Sequence, residues 1–183
     1  MRILVIEDKE IHIQAAQARL ASRHELTICK SFSEAEQILM GGNGHRYYKE
    51  DAEFPFDAVL TDLHLPLSLE GMPDPDVAFA GRSENGERIF KPVTEVYGKE
   101  IPYGIVIALA AMRRGVPVAI VTDRSHHGHP INWALDLVGN KKKRLLIGSS
   151  PFLLFDNAAM SQDSLGNFVK AWHTALYELM KEG

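Results

Sequence analysis

The sequence of residues 56–66 is FDAVLTDLHLP, in which an aliphatic run ends at Thr61 and Asp62. A similar arrangement stands at the amino end of the chain, where residues 2–8 are RILVIED. Short aliphatic runs of this kind predict strands buried on both faces, as in a parallel sheet. Because the carboxyl ends of parallel strands meet at one edge, the acids that follow the two runs are expected to lie close together.

Segments of helical period alternate with such runs along most of the chain. After the first run, Ile13, Ala16 and Leu20 fall on one face of a helix. A second helix is expected to begin near Ser33, which forms a capping-box pattern with Glu36. Apolar stripes predict three more helices, formed by Ile105, Leu109 and Met112, by Ile131, Ala134, Leu135 and Val138, and by Phe168, Trp172, Ala175, Leu176 and Leu179.

The aliphatic runs predict five strands, at residues 3–6, 25–29, 57–61, 117–121 and 145–147. Since strands and helices alternate, we expect an α/β fold with a five-stranded parallel sheet and helices on both faces. A chain of 183 residues is long enough for one such core, so residues 1–183 are interpreted as a single domain.

The alternation is interrupted between the third strand and the third helix. Residues 66–103 show no sustained period, and prolines and glycines break the stretch repeatedly. We interpret it as a long insertion that leaves the domain just after Asp62. An insertion at this place begins at the rim of the strand ends and has the position of a lid.

Composition excludes several classes of function. The chain has 20 Lys plus Arg against 24 Asp plus Glu, and so lacks the basic footprint of a nucleic-acid-binding protein. The single cysteine, Cys29, has no disulfide partner in the chain, as expected in a reducing compartment. Glu7 ends the apolar run at the amino end too early for a signal peptide or a membrane span. We therefore expect a cytoplasmic protein that binds neither nucleic acid nor membranes.

Polar residues follow three of the predicted strands where they end. Glu7 and Asp8 follow the first, Asp62 the third and Thr122 the fourth. Three carboxylates at one edge repel one another unless a cation neutralises them. Mg²⁺ suits such a place, since it takes one or two carboxylates and keeps room for water and a phosphoryl oxygen.

These residues resemble the receiver domain of two-component response regulators. The resemblance lies in residues 2–8 (RILVIED), 56–66 (FDAVLTDLHLP), 118–122 (VAIVT) and 150–152 (SPF), and it covers the chain outside the insertion and the connection before the third strand. It implies a flavodoxin-like five-stranded parallel sheet.

The resemblance also implies the roles of individual residues. Asp62 would be the phosphoacceptor, and Thr122 would contact the transferred phosphoryl group. Asp8, Asp62 and the backbone carbonyl of His64 would bind Mg²⁺, with Glu7 acting through water. This agrees with the needs of phosphoryl transfer, which are an in-line nucleophile and a cation for the developing charge.

The partners that the resemblance implies belong to a phosphorelay. The donor would be a sensor histidine kinase or another phosphorelay protein, and the chain would be a stand-alone signalling domain whose only chemistry is its own phosphorylation and dephosphorylation. A homodimer is compatible with this interpretation. The resemblance does not identify the downstream protein.

The chain departs from the family at one important position. Receivers carry a lysine after the fifth strand, just before a proline, whereas Ser150 precedes the proline here. A serine supplies no positive charge to a phosphoryl group. Cations that could substitute are Arg82, Lys91 and Lys99 in the insertion and Arg124 after the fourth strand, although each one alone is more simply a solvated charge.

Two other functions remain open. A pseudo-receiver that binds partners without phosphorylation would explain the missing lysine. A phosphatase like those of the haloacid dehalogenase family would explain an aspartate after an apolar strand, but His64 then stands where the second aspartate of that family is found.

Two weaker patterns lie near the carboxyl half. His126, His127 and His129 cluster in one loop, but their spacing fits no defined metal motif. The basic run at residues 141–144 has no interleaved aromatic residues, so we interpret it as a solvated turn.

Overall fold

The computed structural model describes residues 1–39, 54–66, 78–91, 103–123, 144–155 and 160–181. The helices in these ranges are α1 (Glu10–Leu20), α2 (Phe32–Leu39), α3 (Tyr103–Arg113) and α4 (Trp172–Met180). The strands are β1 (Arg2–Ile6), β2 (Glu25–Cys29), β3 (Ala58–Thr61), β4 (Ala78–Arg82), β5 (Arg88–Lys91), β6 (Val118–Val121), β7 (Leu145–Ile147), β8 (Ser150–Phe155), β9 (Met160–Gln162) and β10 (Phe168–Lys170). None of the helices in these ranges has the length and apolar character that a membrane span needs.

A six-stranded sheet in the order β2-β1-β3-β6-β8-β7 forms the centre of the structure. Its first five strands are parallel, and β7 runs antiparallel to β8 along the edge. The expected α/β class with a mostly parallel sheet is therefore confirmed, with one strand more than predicted. The chain order reverses at β1, with β2 on one side and β3 on the other, and the carboxyl ends of β1 and β3 form the crevice where ligands of such sheets bind.

Two hydrophobic layers cover the two faces of the sheet. Alternate residues of β1 divide between them, since Ile3 and Val5 belong to one cluster and Leu4 and Ile6 to the other. The first layer includes side chains of α1 and α4, and the second includes side chains of α2 and α3. Helices on both faces explain why β1 is apolar without alternation.

The fifth parallel strand is not the one that the sequence predicted. Residues 145–147 form the antiparallel edge strand β7, and Gly148 turns the chain at a φ of +64° into β8, which is the parallel neighbour of β6. The prediction was wrong because a buried strand of six residues began at Ser150-Pro151, a pair that was interpreted as the end of a strand. Pro151 is tolerated because it lies near the start of β8, beside the edge strand β7.

Several smaller predictions also need correction. The α2 cap is formed two residues earlier than expected, because Ser31 rather than Ser33 accepts a hydrogen bond, at its Oγ, from the Glu34 backbone N–H at 3.2 Å. Leu109 is 55% exposed, whereas Ile107 and Ala111 are buried on α3. Phe168 lies on β10 before the last helix and is 66% exposed.

Two hairpins lie outside the central sheet. One pairs β4 with β5 inside the segment interpreted as an insertion, which the sequence had not predicted to be regular. The other pairs β9 with β10 between β8 and α4. The predicted fourth helix, the histidine cluster, residues 141–143 of the basic run, Lys99 and Arg124 fall outside the described residues.

Candidate functional site

The carboxyl ends of β1 and β3 carry two buried acids. The backbone ladder continues past both strands, since the Glu7 N–H donates to the Cys29 carbonyl at 2.9 Å and the Asp62 N–H donates to the Ile6 carbonyl at 2.8 Å. Both side chains are almost completely buried. Rigid strand backbone therefore fixes the two carboxylates at the crevice.

Asp8 completes a cluster of three acids. Glu7, Asp8 and Asp62 each contribute one carboxylate oxygen to a group whose atoms all lie within 4.8 Å of one another. Asp8 is the most exposed of the three and lies between β1 and α1. The sequence prediction that the acids of the first and third strands converge is confirmed.

A buried lysine that the sequence analysis had not singled out enters this cluster. The Lys170 ammonium lies 2.5 Å from Glu7 Oε2 and 2.8 Å from Asp62 Oδ1, and its side chain is fully buried. Asp62 Oδ1 also accepts a hydrogen bond from the Leu63 N–H at 2.7 Å. Charge-assisted contacts this short in a buried site hold the ammonium and the carboxylates in one geometry.

The β9–β10 hairpin places Lys170 at the site. Its turn is organised by Asp163, whose Oδ1 accepts hydrogen bonds from the Leu165 and Asn167 N–H groups at 2.8 Å each. Gly166 in this turn has a φ of +84°, a conformation that favours glycine. Lys170 ends the hairpin two residues before α4, so the hairpin and the last helix together determine its position.

His12 and Trp172 pack around the base of Lys170. The Lys170 backbone N–H donates to His12 Nδ1 at 3.4 Å, and the Trp172 indole N–H donates to the His12 carbonyl at 2.9 Å. The Lys170 ammonium also lies 5.4 Å from the centre of the Trp172 ring, within cation–π range. These contacts anchor the hairpin strand to α1.

Asp123 connects the end of β6 to the same network. Its Oδ2 lies 2.8 Å from Lys9 Nζ and 3.4 Å from His12 Nε2. The two ring nitrogens of His12 face different partners, since Nδ1 faces the Lys170 N–H and Nε2 faces Asp123. Asp123, the acidic residue after Thr122, thus forms an ion pair with Lys9 and also contacts His12 of α1.

Burial and neighbouring charges shift two acids in opposite directions. Burial raises the pKa of the Glu7 carboxyl from its ordinary 4.5 to about 7, against an opposing effect of Lys170 and with a smaller contribution from Asp62. The hydrogen bond with His12 holds the pKa of Asp123 well below its usual range; burial opposes this, and Lys9 reinforces it.

The residues present fit a divalent cation. Among the described residues, three carboxylates face the Lys170 ammonium, so these four groups carry a net charge of about −2 when Glu7 is ionised. In the described part of the structure, Asp8 Oδ1 is buried without a hydrogen-bond partner. An oxygen in this condition is costly unless it has a ligand, and hard cations with oxygen ligands suit it. The chemistry of the site therefore agrees with Mg²⁺ without establishing which ion binds.

The other predicted site residues lie at or near this edge. Thr122 is buried at the end of β6, where its N–H donates to the Phe155 carbonyl at 3.1 Å. His64 follows Asp62 by two residues and is half-buried.

Ser150 does not lie at the site. It begins β8, so it is at the amino edge of the parallel strands, opposite Asp62. Its hydroxyl donates to the Met112 carbonyl at 3.0 Å, near the end of α3. Ser150 was interpreted as following a strand, whereas it begins one, and the cation that lies beside Asp62 in the described structure is Lys170.

Gly104 brings α3 close to the backbone of Asp62. Its N–H donates to the Leu63 carbonyl at 3.0 Å, and a Cβ at Gly104 would lie only 2.1 Å from the Asp62 carbonyl oxygen. No side chain fits at that distance without a backbone shift. The glycine thus sets how closely the helix packs against the residue after β3.

Comparison with protein families, with curated proteins and with solved structures gave no significant match. Among the described residues, the carboxyl ends of β1 and β3 form a buried acidic crevice that contains the Lys170 ammonium.

Proposed function

We propose that this protein is an atypical response-regulator receiver that accepts a phosphoryl group on Asp62. The observation that carries the proposal is the Lys170 ammonium at 2.8 Å from Asp62 Oδ1, inside a cluster of three acids. No cation had been assigned from the sequence to the position beside Asp62.

The arrangement of the sheet supports the same class. The five parallel strands follow the order β2-β1-β3-β6-β8, which is the strand order of flavodoxin-like folds when the parallel strands alone are counted. In such folds the ligand lies where the order reverses, and Glu7, Asp8 and Asp62 follow the two strands that flank this point.

The chain's own residues suit phosphoryl transfer. Lys170 and the Leu63 N–H hold Oδ1 of Asp62, which leaves Oδ2 as the oxygen that attacks phosphorus. As the acyl phosphate forms, the bond from phosphorus to the donor breaks, and the leaving atom keeps that electron pair. The leaving atom is the imidazole nitrogen of a phosphohistidine or the carboxylate oxygen of acetyl phosphate. Lys170 then offsets negative charge on the phosphoryl oxygens, and the Thr122 hydroxyl donates to one of them.

Mg²⁺ would be held by Asp8 and Asp62, with Glu7 acting through water and the His64 carbonyl as a further ligand. When bound, it would neutralise charge on the phosphoryl oxygens. The buried Asp8 oxygen without a partner is the feature of this structure that fits this role best.

A histidine kinase or another phosphorelay protein is the proposed donor, and a cytoplasmic signalling role is the proposed setting. The pseudo-receiver alternative was favoured mainly by the missing lysine after the fifth strand, and the Lys170 ammonium beside Asp62 supports the phosphorylated receiver instead. The phosphatase alternative differs from both in requiring turnover of a phosphate ester.

Intact mass spectrometry after incubation with acetyl phosphate and Mg²⁺ tests the proposal. Wild-type protein should gain one phosphoryl group, and Asp62→Asn should gain none. Asp57→Asn is the matched control, because Asp57 precedes the same strand at its opposite end and is exposed. Ser150→Ala should behave like wild type.

An adduct that persists in Asp62→Asn, or the absence of an adduct together with no Mg²⁺ binding by titration, would contradict the proposal. In the second case the pseudo-receiver becomes the better description. Continuous release of phosphate from a generic phosphate ester would favour the phosphatase.

A further inference from the structure

A groove lies at the end of the domain opposite to the acid cluster. It is formed where α1 ends, where the chain turns toward β2, and along the last turns of α4. Its volume is about 430 Å³, within the range of about 300–1,000 Å³ that small-molecule sites occupy. We call it the basal groove and define it by Arg19, Leu20, Arg23, His24 and Leu176, together with the α4 residues that follow.

The floor of the basal groove is apolar. Leu20 and Leu176 are buried in the layer between α1 and α4, and they also line the groove. Tyr177 and Met180 extend this apolar surface toward solvent, where Tyr177 is 63% exposed. A ligand with an apolar portion would therefore cover surface that the fold leaves partly in contact with water.

The rim of the basal groove is basic. Arg19, Arg23 and Lys181 line it, and no ion pair involves these three side chains in the described part of the structure. Glu25 follows His24 directly in the chain, but it is not among the lining residues. Among the described residues that line the groove, the charged side chains are thus basic, in a chain whose net charge is −4.

His24 adds a polar group to the groove. Its backbone N–H is fixed by the Leu20 carbonyl at 3.0 Å, and its Nδ1 is buried without a hydrogen-bond partner among the described residues. Burial lowers the pKa of His24, and the positive charges of the N-terminal amine and, to a smaller extent, of Arg23 lower it further. A neutral imidazole can donate to or accept from a ligand.

The helix dipoles of α1 and α4 explain only part of the composition of the basal groove. Basic side chains near a helix carboxyl end are favourable without a ligand, because they face the negative end of the helix dipole. That accounts for Arg19 at the end of α1 and Lys181 after α4. It does not account for the apolar floor or for the unpartnered nitrogen of His24.

We propose that the basal groove binds a small amphiphilic carboxylate, with its acid group between Arg19 and Arg23 and its apolar portion over Leu20 and Leu176. Arginine is suited to this because its planar fork matches a carboxylate. The proposal is independent of phosphorylation at Asp62, since the groove and the acid cluster lie at opposite ends of the sheet.

Calorimetric titration with octanoate tests the proposal. Octanoate should bind with a Kd of about 1 mM or below, and acetate and octanol should bind at least about tenfold more weakly, since each lacks one half of the ligand. Arg23→Gln should weaken octanoate binding about tenfold by removing a charge-assisted contact. Tyr177→Ser should weaken it through loss of apolar surface.

Lys30→Gln is the matched control, because it removes the same charge from an exposed site at the other end of the domain. It should leave octanoate binding unchanged, as should Asp62→Asn. Equal affinity for octanol and octanoate, or unchanged binding in Arg23→Gln, would overturn the proposal. Circular dichroism of each variant separates loss of binding from loss of folding.

Discussion

Replacing Lys170 with methionine should destabilise the domain strongly. The ammonium contacts Glu7 Oε2 at 2.5 Å and Asp62 Oδ1 at 2.8 Å, and at least 98% of each of the three side chains is buried. Methionine fills a similar volume but leaves three acids without an internal cation. Removing one partner of a buried ion pair costs about 3–5 kcal/mol, which is a large share of the roughly 5–15 kcal/mol that stabilises a domain.

Urea unfolding followed by circular dichroism measures this loss of free energy. Lys30→Met is the matched control, because the Lys30–Glu10 pair is about 60% exposed on both sides. An exposed pair contributes about 0–1 kcal/mol, so the two lysines should differ several-fold. Mg²⁺ should raise the unfolding midpoint of Lys170→Met more than that of wild type, since the cluster then carries one more uncompensated charge.

The double variant Lys170→Met, Glu7→Gln tests the ion pair even if Lys170→Met alone folds poorly. Adding Glu7→Gln removes one of the acids that Lys170 had neutralised, so part of the lost stability should return. The interaction free energy from the double-mutant cycle should be at least about 1 kcal/mol. Additive effects of the two substitutions, or equal losses for Lys170→Met and Lys30→Met, would show that the internal ion pair is not what stabilises the site.

Three further predictions concern neighbouring groups. Gly104→Ala should lower the free energy of unfolding by about 2 kcal/mol or more, because the added Cβ would lie 2.1 Å from the Asp62 carbonyl oxygen. Glycine to alanine in a helix usually raises the free energy of unfolding, so the sign of the change in urea unfolding distinguishes the two effects. Because the folded-state pKa of Glu7 is raised to about 7, wild-type stability should fall as pH rises from about 4.5 to 7, and denaturation curves of Glu7→Gln at pH 5 and 8 should lack that change. The pKa of Asp123 is depressed, so wild-type stability should be lost as pH falls below 3.8, the ordinary pKa of an aspartate. In Asp123→Asn, the melting temperature should depend less on pH in this acidic range. An unchanged pH dependence would contradict the pairing of Asp123 with His12.

The parts of the fold that sequence predicts best are the strands with uninterrupted aliphatic runs. The first, third and fourth predicted strands and the buried face of α1 are confirmed, because burial on both sides of a sheet admits few residue types. The convergence of Glu7, Asp8 and Asp62 also followed from strand order alone. The third helix was placed correctly, but its buried face was not, since nearly every residue of α3 is apolar and the pattern could not select one stripe.

The cation of the site could not be found by the same reasoning. Lys170 lies in the short run FVK before the last helix, and Phe168 was assigned to that helix because it continues an apolar spacing. The available signal was a turn at Asp163 and Gly166 between two segments of three residues each. Segments of this length are too short to distinguish a hairpin from the start of a helix. Only tertiary contact shows that the lysine reaches Asp62.

The β9–β10 hairpin has a consequence for how buried charges are located from sequence. Lys170 stands fifteen positions beyond Phe155, the last residue of β8, and it reaches Asp62 from outside the parallel sheet. A motif that is searched only at the ends of parallel strands therefore misses a cation that a hairpin supplies. A charge that such a motif lacks should be sought among all elements that contact the pocket before the site is described as acidic alone.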